Sequence, residues 1–285
     1  MTTRADAHIH LFADGYQNPS FASRPGVSID EAACYESLSR DHDVAAALVI
    51  GFAGEDWCAD NNSHLADQVK VHDWIHPLAH VAVDAVPGVE QLENLQRDGF
   101  VGISLYLYDG DAARIADWSD ESWGWLDERN WLVSVNADSD GWSSWTGVLA
   151  RFPGLRLLVS HLGEPPASTV PPEPATAAQA LKTVTDLAAY PKVSVKLSGF
   201  YAISTPGHDY PHVAAWPYVE QLLTAFGSNR LVWGSDFSPS LDWVTFPQTI
   251  DLFEKMPFLD HHDVDAITGK NLLALLSEVH RPGSA

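Results

Sequence analysis

His8 and His10 stand two residues apart in DAHIHLF. On a β-strand that spacing aims both imidazoles at the same face. Two neutral imidazoles meeting a carboxylate make the donor set of a divalent metal site, for which zinc is the default ion. The competing reading is two polar residues hydrogen-bonded at the mouth of a barrel. Asp236, in VWGSDFSP, ends the last strand-like apolar run, where an unpaired carboxylate would be costly. It suits a metal ligand and a general base acting on water. Its rival role, capping a following helix, sits poorly with Pro239 and the turn-like Ser238-Pro239-Ser240. His161, in LLVSHLGEPP, is placed to act as electrophile or proton shuttle beside a substrate oxygen, or as a further ligand, against a structural role. Asn136, in WLVSVNAD, could polarise a substrate carbonyl or cap the next loop.

A second set of polar residues lies nearby in the pattern. Tyr106 and Tyr108 in SLYLYDG, and Ser198 and Tyr201 in KLSGFY, read as lining a substrate site. Lys196 shares a strand face with Lys192, Ser194 and Ser198. It is either a buried cation near the site or a surface residue, and the surface reading is preferred. His208 and His212 in GHDYPH are four apart, but Pro211 argues against a helix there, which makes them rim-loop residues of open role. His261 and His262 read as solvated.

These residues need elements to converge. Eight strand-like runs cover 5–11, 45–51, 77–83, 101–107, 131–136, 156–161, 192–198 and 230–236. Helix-like stretches cover 30–40, 62–72, 87–97, 121–129, 143–151, 175–189, 213–226 and 245–255, with a last helix at 263–276 capped by Asp263. Near-continuous Val/Ile/Leu runs such as LRLLV mark strands covered on both faces. Eight such βα units predict an α/β fold, a (β/α)8 TIM barrel formed by residues 1–285 as one domain, with a C-terminal closing helix. In that fold the chemistry sits at the C-terminal ends of the strands. His8, His10, Tyr106, Asn136, His161, Ser198 and Asp236 all fall there. The rim loops 12–25, 51–61, 163–174, 200–217 and 237–244 carry Phe21, Trp57, Tyr201, Tyr210, Trp216 and Trp243, which suits a partly apolar or ring-shaped small-molecule substrate.

Composition excludes other classes. With 38 acidic against 16 basic residues the net charge is −22, so nucleic acid and anionic lipid are poor partners. The two cysteines, Cys34 and Cys58, make neither a CxxC nor a disulfide framework, as expected of a reduced, cytoplasmic protein. MTTRADAHIHLF runs into a strand with no leader pattern, and no apolar run has the length of a membrane span. Homo-oligomerisation is left open.

The blocks DAHIHLF, GFVGISLYL, LLVSHLG, VKLSGF, NRLVWGSDF and GKNLLALL follow one another in the order and spacing of the amidohydrolase superfamily. Within it the chain resembles the amidohydrolase-related ("amidohydrolase 2") branch over residues 4–277. That branch includes sugar-acid lactonases, pyrone dicarboxylate lactonases and zinc-dependent nonoxidative decarboxylases. The resemblance implies that His8 and His10 are the strand-one ligand pair, with His161 and Asp236 as the strand-six and strand-eight residues. One departure stands out: where many members place a strand-five histidine, this chain has Asn136. It also lacks a strand-four lysine or glutamate to bridge two metals. The implied cofactor is therefore one divalent metal, zinc by default, with metal-independent action also open. The implied activity is opening of a small carboxylated or sugar-acid lactone, Asp236 serving as base and His161 polarising the carbonyl. The alternatives are zinc-dependent nonoxidative decarboxylation of an aromatic or unsaturated acid, and a non-catalytic ligand-binding barrel.

Overall fold

A computed structural model of the chain describes residues 3–17, 29–138 and 141–281. Eight parallel strands follow one another around the sheet in sequence order. They are β1 (Arg4–Ile9), β2 (Val44–Ile50), β3 (Ile75–His80), β4 (Gly102–Leu107), β5 (Leu132–Ala137), β6 (Arg156–Val159), β7 (Ser194–Leu197) and β8 (Leu231–Trp233). Helices alternate with them, among them Glu31–Asp41, Val89–Arg97, Asp120–Glu128, Trp216–Phe226 and Phe246–Lys255. The result is a nearly closed (β/α)8 barrel, as the alternation predicts. β5, β6 and β7 are buried at every position; the Leu-Leu-Val run of β6 shows no two-residue alternation, whereas β5 and β7 alternate apolar residues with the buried Ser134, Asn136, Ser194 and Lys196.

Several strands are shorter than expected, β6 and β8 among them. β6 stops at Val159 and β8 at Trp233, because His161 and Asp236 take left-handed backbone angles, φ 49° and 57°, that leave the ladder. The last helix also differs. It begins at His261, capped by Asp260, whose carboxylate accepts from the amides of His262 and Asp263. Asp263 is therefore the third residue of a capping box and not the cap. A π-turn over Ala266–Lys270 follows, then Asn271–Glu278. At that turn Gly269 lies against β1, where an added Cβ would come within 2.2 Å of the Thr3 carbonyl oxygen. Asn271 Nδ2 donates to the carbonyls of Ser228 and Leu231. The helix thus closes the end of the barrel opposite the chemistry. No helix among the described residues is long and apolar enough to cross a membrane.

The seam between β1 and β8 has no regular ladder. It is joined by a bridge between Ile9 and Phe237, by Asp236 N donating to His8 O at 2.8 Å, and by His10 N donating to Phe237 O. Beneath these, the buried Asp6 carboxylate accepts from the amides of His8 (3.1 Å) and Ser235 (2.8 Å) and from the Tyr35 hydroxyl (3.0 Å). Burial pushes Asp6 up to about 7. Gly234 permits the approach: a Cβ there would lie 2.7 Å from that of His8.

Candidate active site

His8 and His10 turn their rings to the same side of β1, as their two-residue spacing predicts. Their Nε2 atoms lie 3.2 Å apart, each 3.7 Å from Asp236 Oδ1. His10 Nδ1 is 2.9 Å from the Ile50 carbonyl oxygen. A carbonyl only accepts, so Nδ1 of a neutral His10 carries the proton and Nε2 presents its lone pair toward Asp236. Burial holds both histidines below their ordinary value, His8 far below. His8, His161 and Asp236 each offer a donor atom, all within 4.8 Å of one another. Tetrahedral zinc at its usual Zn–N distance separates two nitrogens by about 3.3 Å, so the donor types and spacing fit such an ion.

Lys196 corrects the sequence reading. It is fully buried, and its Nζ lies 2.6 Å from Ser134 Oγ and 3.3 Å from His8 Nδ1. The face shared with Ser194 and Ser198 is thus the barrel interior. Burial lowers Lys196 to about 7, against the opposing pull of Asp236 and Asp6.

His161 and its neighbours approach from β6. His161, Leu162, Gly163 and Glu164 are four successive left-handed residues, with φ of 49°, 58°, 82° and 54°. An L-residue enters this region at a cost, so the surroundings must hold the segment. Leu162 is fully buried, Trp142 Nε1 donates to Gly163 O at 3.0 Å, and His161 Nδ1 lies 3.0 Å from Ser198 Oγ. Ser198, expected at the substrate, thus partners His161. The His161 ring sits 4.5 Å from that of His8.

Tyr201 donates to Asp236 Oδ2 at 2.7 Å and stacks on Trp243. It fixes the carboxylate with Oδ1 toward the two histidines. Tyr106 and Asn136 are register partners on β4 and β5. The Tyr106 hydroxyl and Asn136 Nδ2 are buried with no hydrogen-bond partner among the described residues, and so are suited to a bound substrate. A cavity of about 340 Å³ is lined by Tyr108, His161, Glu164, Gly199, Tyr201 and Asp236. His212 is buried against Phe200, and burial lowers it to about 4. His208, His261 and His262 are exposed. Phe21 lies outside the described residues.

Sequence reasoning missed Asp6 and Glu164. Asp6 precedes His8 by a two-residue step, but the register shift between Asp6 and Ile9 breaks the alternation that would make this step a signal. Glu164 had none, because only the left-handed turn after β6 carries it into the cavity.

The chain matches the amidohydrolase family model over residues 5–276. A stretch of 90 residues is 37% identical to L-fucono-1,5-lactonase of Burkholderia ambifaria, covering 32% of this chain and 29% of that protein. The whole fold resembles that of a Burkholderia multivorans amidohydrolase with bound zinc, with TM-score 0.77, 18% identity and coverage of 97% of this chain and 99% of that one. A probable 2-pyrone-4,6-dicarboxylic acid hydrolase of Acinetobacter baumannii, solved with citric acid bound, superimposes with TM-score 0.71 at 18% identity over 96% of this chain and 99% of that one.

Proposed function

The chain belongs to the amidohydrolase family and is a hydrolytic enzyme, and on that premise we propose that it opens a small lactone, with Asp236 as the base. One observation carries this reading. Asp236 is tied by Tyr201 through one oxygen and turns the other toward His8 and His10, on the wall of a cavity that His161 also lines. In the proposed reaction Asp236 takes a proton from water as the water oxygen bonds to the lactone carbonyl carbon. His161 polarises the carbonyl and stabilises the developing oxyanion. The ring C–O bond then breaks, and the leaving ring oxygen recovers the proton from Asp236. Tyr106 and Asn136 supply buried polar groups for the substrate.

His8, His10, His161 and Asp236 would hold one divalent metal, with zinc the ion that their nitrogen and oxygen donors suit. Such an ion would supply Lewis-acid polarisation of the carbonyl. The donor set also supports a second reading, nonoxidative decarboxylation of an aromatic or unsaturated acid, told apart by release of carbon dioxide. The test is Asp236→Asn, screened with wild type against sugar-acid lactones, carboxylated lactones and aromatic acids. Lactone turnover in wild type, and at least a thousandfold loss in a variant with unchanged circular dichroism, is the expected result. Undiminished lactone opening by the variant would remove Asp236 from the role.

A further inference from the structure

We propose that Glu164, held by Tyr108, is the specificity residue of this cavity and selects lactones that carry ring hydroxyls. The proposal rests on the lactone reading above. The Tyr108 hydroxyl donates to Glu164 Oε1 at 2.6 Å, and both residues line the same cavity as His161 and Asp236. A carboxylate offers about four acceptor sites in all, and one Tyr108 bond occupies one of them. Glu164 therefore keeps capacity to accept from hydroxyl donors on a substrate. Its placement is not incidental, because it closes the run of four left-handed residues that begins at His161. The backbone that delivers His161 thus delivers Glu164 with it, on the same short turn.

The electrostatics point to the same ligand chemistry. Glu164 and Asp236 face one cavity of about 340 Å³, and burial, with the Asp138 and Asp236 carboxylates adding to it, raises Glu164 above its ordinary value. A ring bearing free carboxylates would add a third anion. A ring bearing hydroxyls would instead donate to the carboxylate, and a site built to bond a hydroxyl rejects the analogue that lacks it.

The experiment compares kcat/KM for a hexono-1,5-lactone, for δ-valerolactone and for a pyrone dicarboxylate in wild type, Glu164→Ala, Glu164→Gln and Tyr108→Phe. Wild type should favour the hydroxylated ring over δ-valerolactone. Glu164→Ala should reduce that preference about ten- to hundredfold, mainly through KM, the range set by a hydrogen bond to a charged group. Glu164→Gln preserves the side-chain shape and should raise relative activity on the dicarboxylate. Tyr108→Phe should lower the hydroxyl preference less than Glu164→Ala does. A hydroxylated-to-plain ratio unmoved in Glu164→Ala, or in Glu164→Gln if the alanine variant fails to fold, overturns the proposal and leaves the lactonase reading intact. Failure of wild type to open any lactone overturns both.

Discussion

Replacing Lys196 with Met should change how stability depends on pH, and by an amount the structure sets. Lys196 is fully buried and lowered from 10.5 to about 7. In the folded protein it gives up its proton near pH 7, whereas in the unfolded chain it keeps it to about 10.4. Below pH 7 both states are protonated, and the burial penalty on the ammonium is fully present, about 5 kcal/mol at 1.36 kcal/mol per pH unit. The unfolded chain binds one more proton between the two values, so wild-type stability climbs with pH through that window, at about 1.4 kcal/mol per unit. Asp6, raised to about 7, acts in the opposite sense and in a different window. Its penalty grows as pH rises from about 4 to 7 and stays constant above, so it adds no slope beyond pH 7. Met has similar volume and no charge, but it forfeits the contacts with Ser134 and His8, worth about 1–3 kcal/mol together. The variant should therefore be more stable than wild type by about 2–4 kcal/mol at pH 7 and less stable by about 1–3 kcal/mol near pH 10.5. Urea denaturation of both proteins at pH 7, 8, 9 and 10, with a chelator present, measures the difference. Two stability curves that run parallel across those three pH units would show that Lys196 does not titrate there, and the reasoning would fail.

Two further predictions follow from the same interior. If Lys196 is an ammonium it donates to His8 Nδ1, which puts the ring proton on Nε2, the atom facing His10 and Asp236. Ligation through that atom requires the other tautomer and a neutral lysine. Zinc affinity in wild type should therefore rise with pH more steeply than in Lys196→Met, by about one proton between pH 6 and 7; equal slopes in chelator-competition titrations would exclude the linkage. Asp6→Ala takes the buried acceptor from the amides of His8 and Ser235, at about 2–6 kcal/mol, and at pH 7 it also removes the burial penalty on the carboxylate, about 4 kcal/mol, so the variant should lose more stability relative to wild type at pH 5 than at pH 7. Denaturation midpoints at the two pH values check this, and an equal loss at both would mean that Asp6 does not titrate between them.

The barrel was legible because its strands are covered on both faces and its helices separate them at even spacing. The convergence of His8 and His10 was legible from strand parity, and that of His161 and Asp236 from their place after the apolar runs. What sequence could not supply was the identity of neighbours on other strands. Parity puts Lys196 on the face of Ser194 and Ser198, yet nothing in its own strand reveals Ser134 and His8 beside it. The role of Asp6 was hidden for a different reason. Strict alternation puts it on the face of His8, but the register shift between Asp6 and Ile9 breaks that alternation, and its carboxylate meets Tyr35 from the helix Glu31–Asp41. Glu164 depends on a left-handed run that its residue types, apart from Gly163, do not favour.

Barrel closure and site geometry draw on the same hydrogen bonds. Where other neighbouring strands share a ladder, β1 and β8 are joined by the amide of Asp236 on the His8 carbonyl, the amide of His10 on the Phe237 carbonyl, and the Asp6 carboxylate between the amides of His8 and Ser235. Each of these bonds involves a candidate ligand or its immediate neighbour. A shift of the seam by a fraction of an ångström would therefore change the spacing of His8, His10 and Asp236 before it disturbed the core. The seam also explains why a costly buried carboxylate and a costly buried lysine sit one layer below the cavity: Asp6 sets the backbone of β1 against that of β8, and Lys196 sets the ring of His8. Together they fix the direction in which Nε2 faces Asp236, which is the geometry that the proposed chemistry requires.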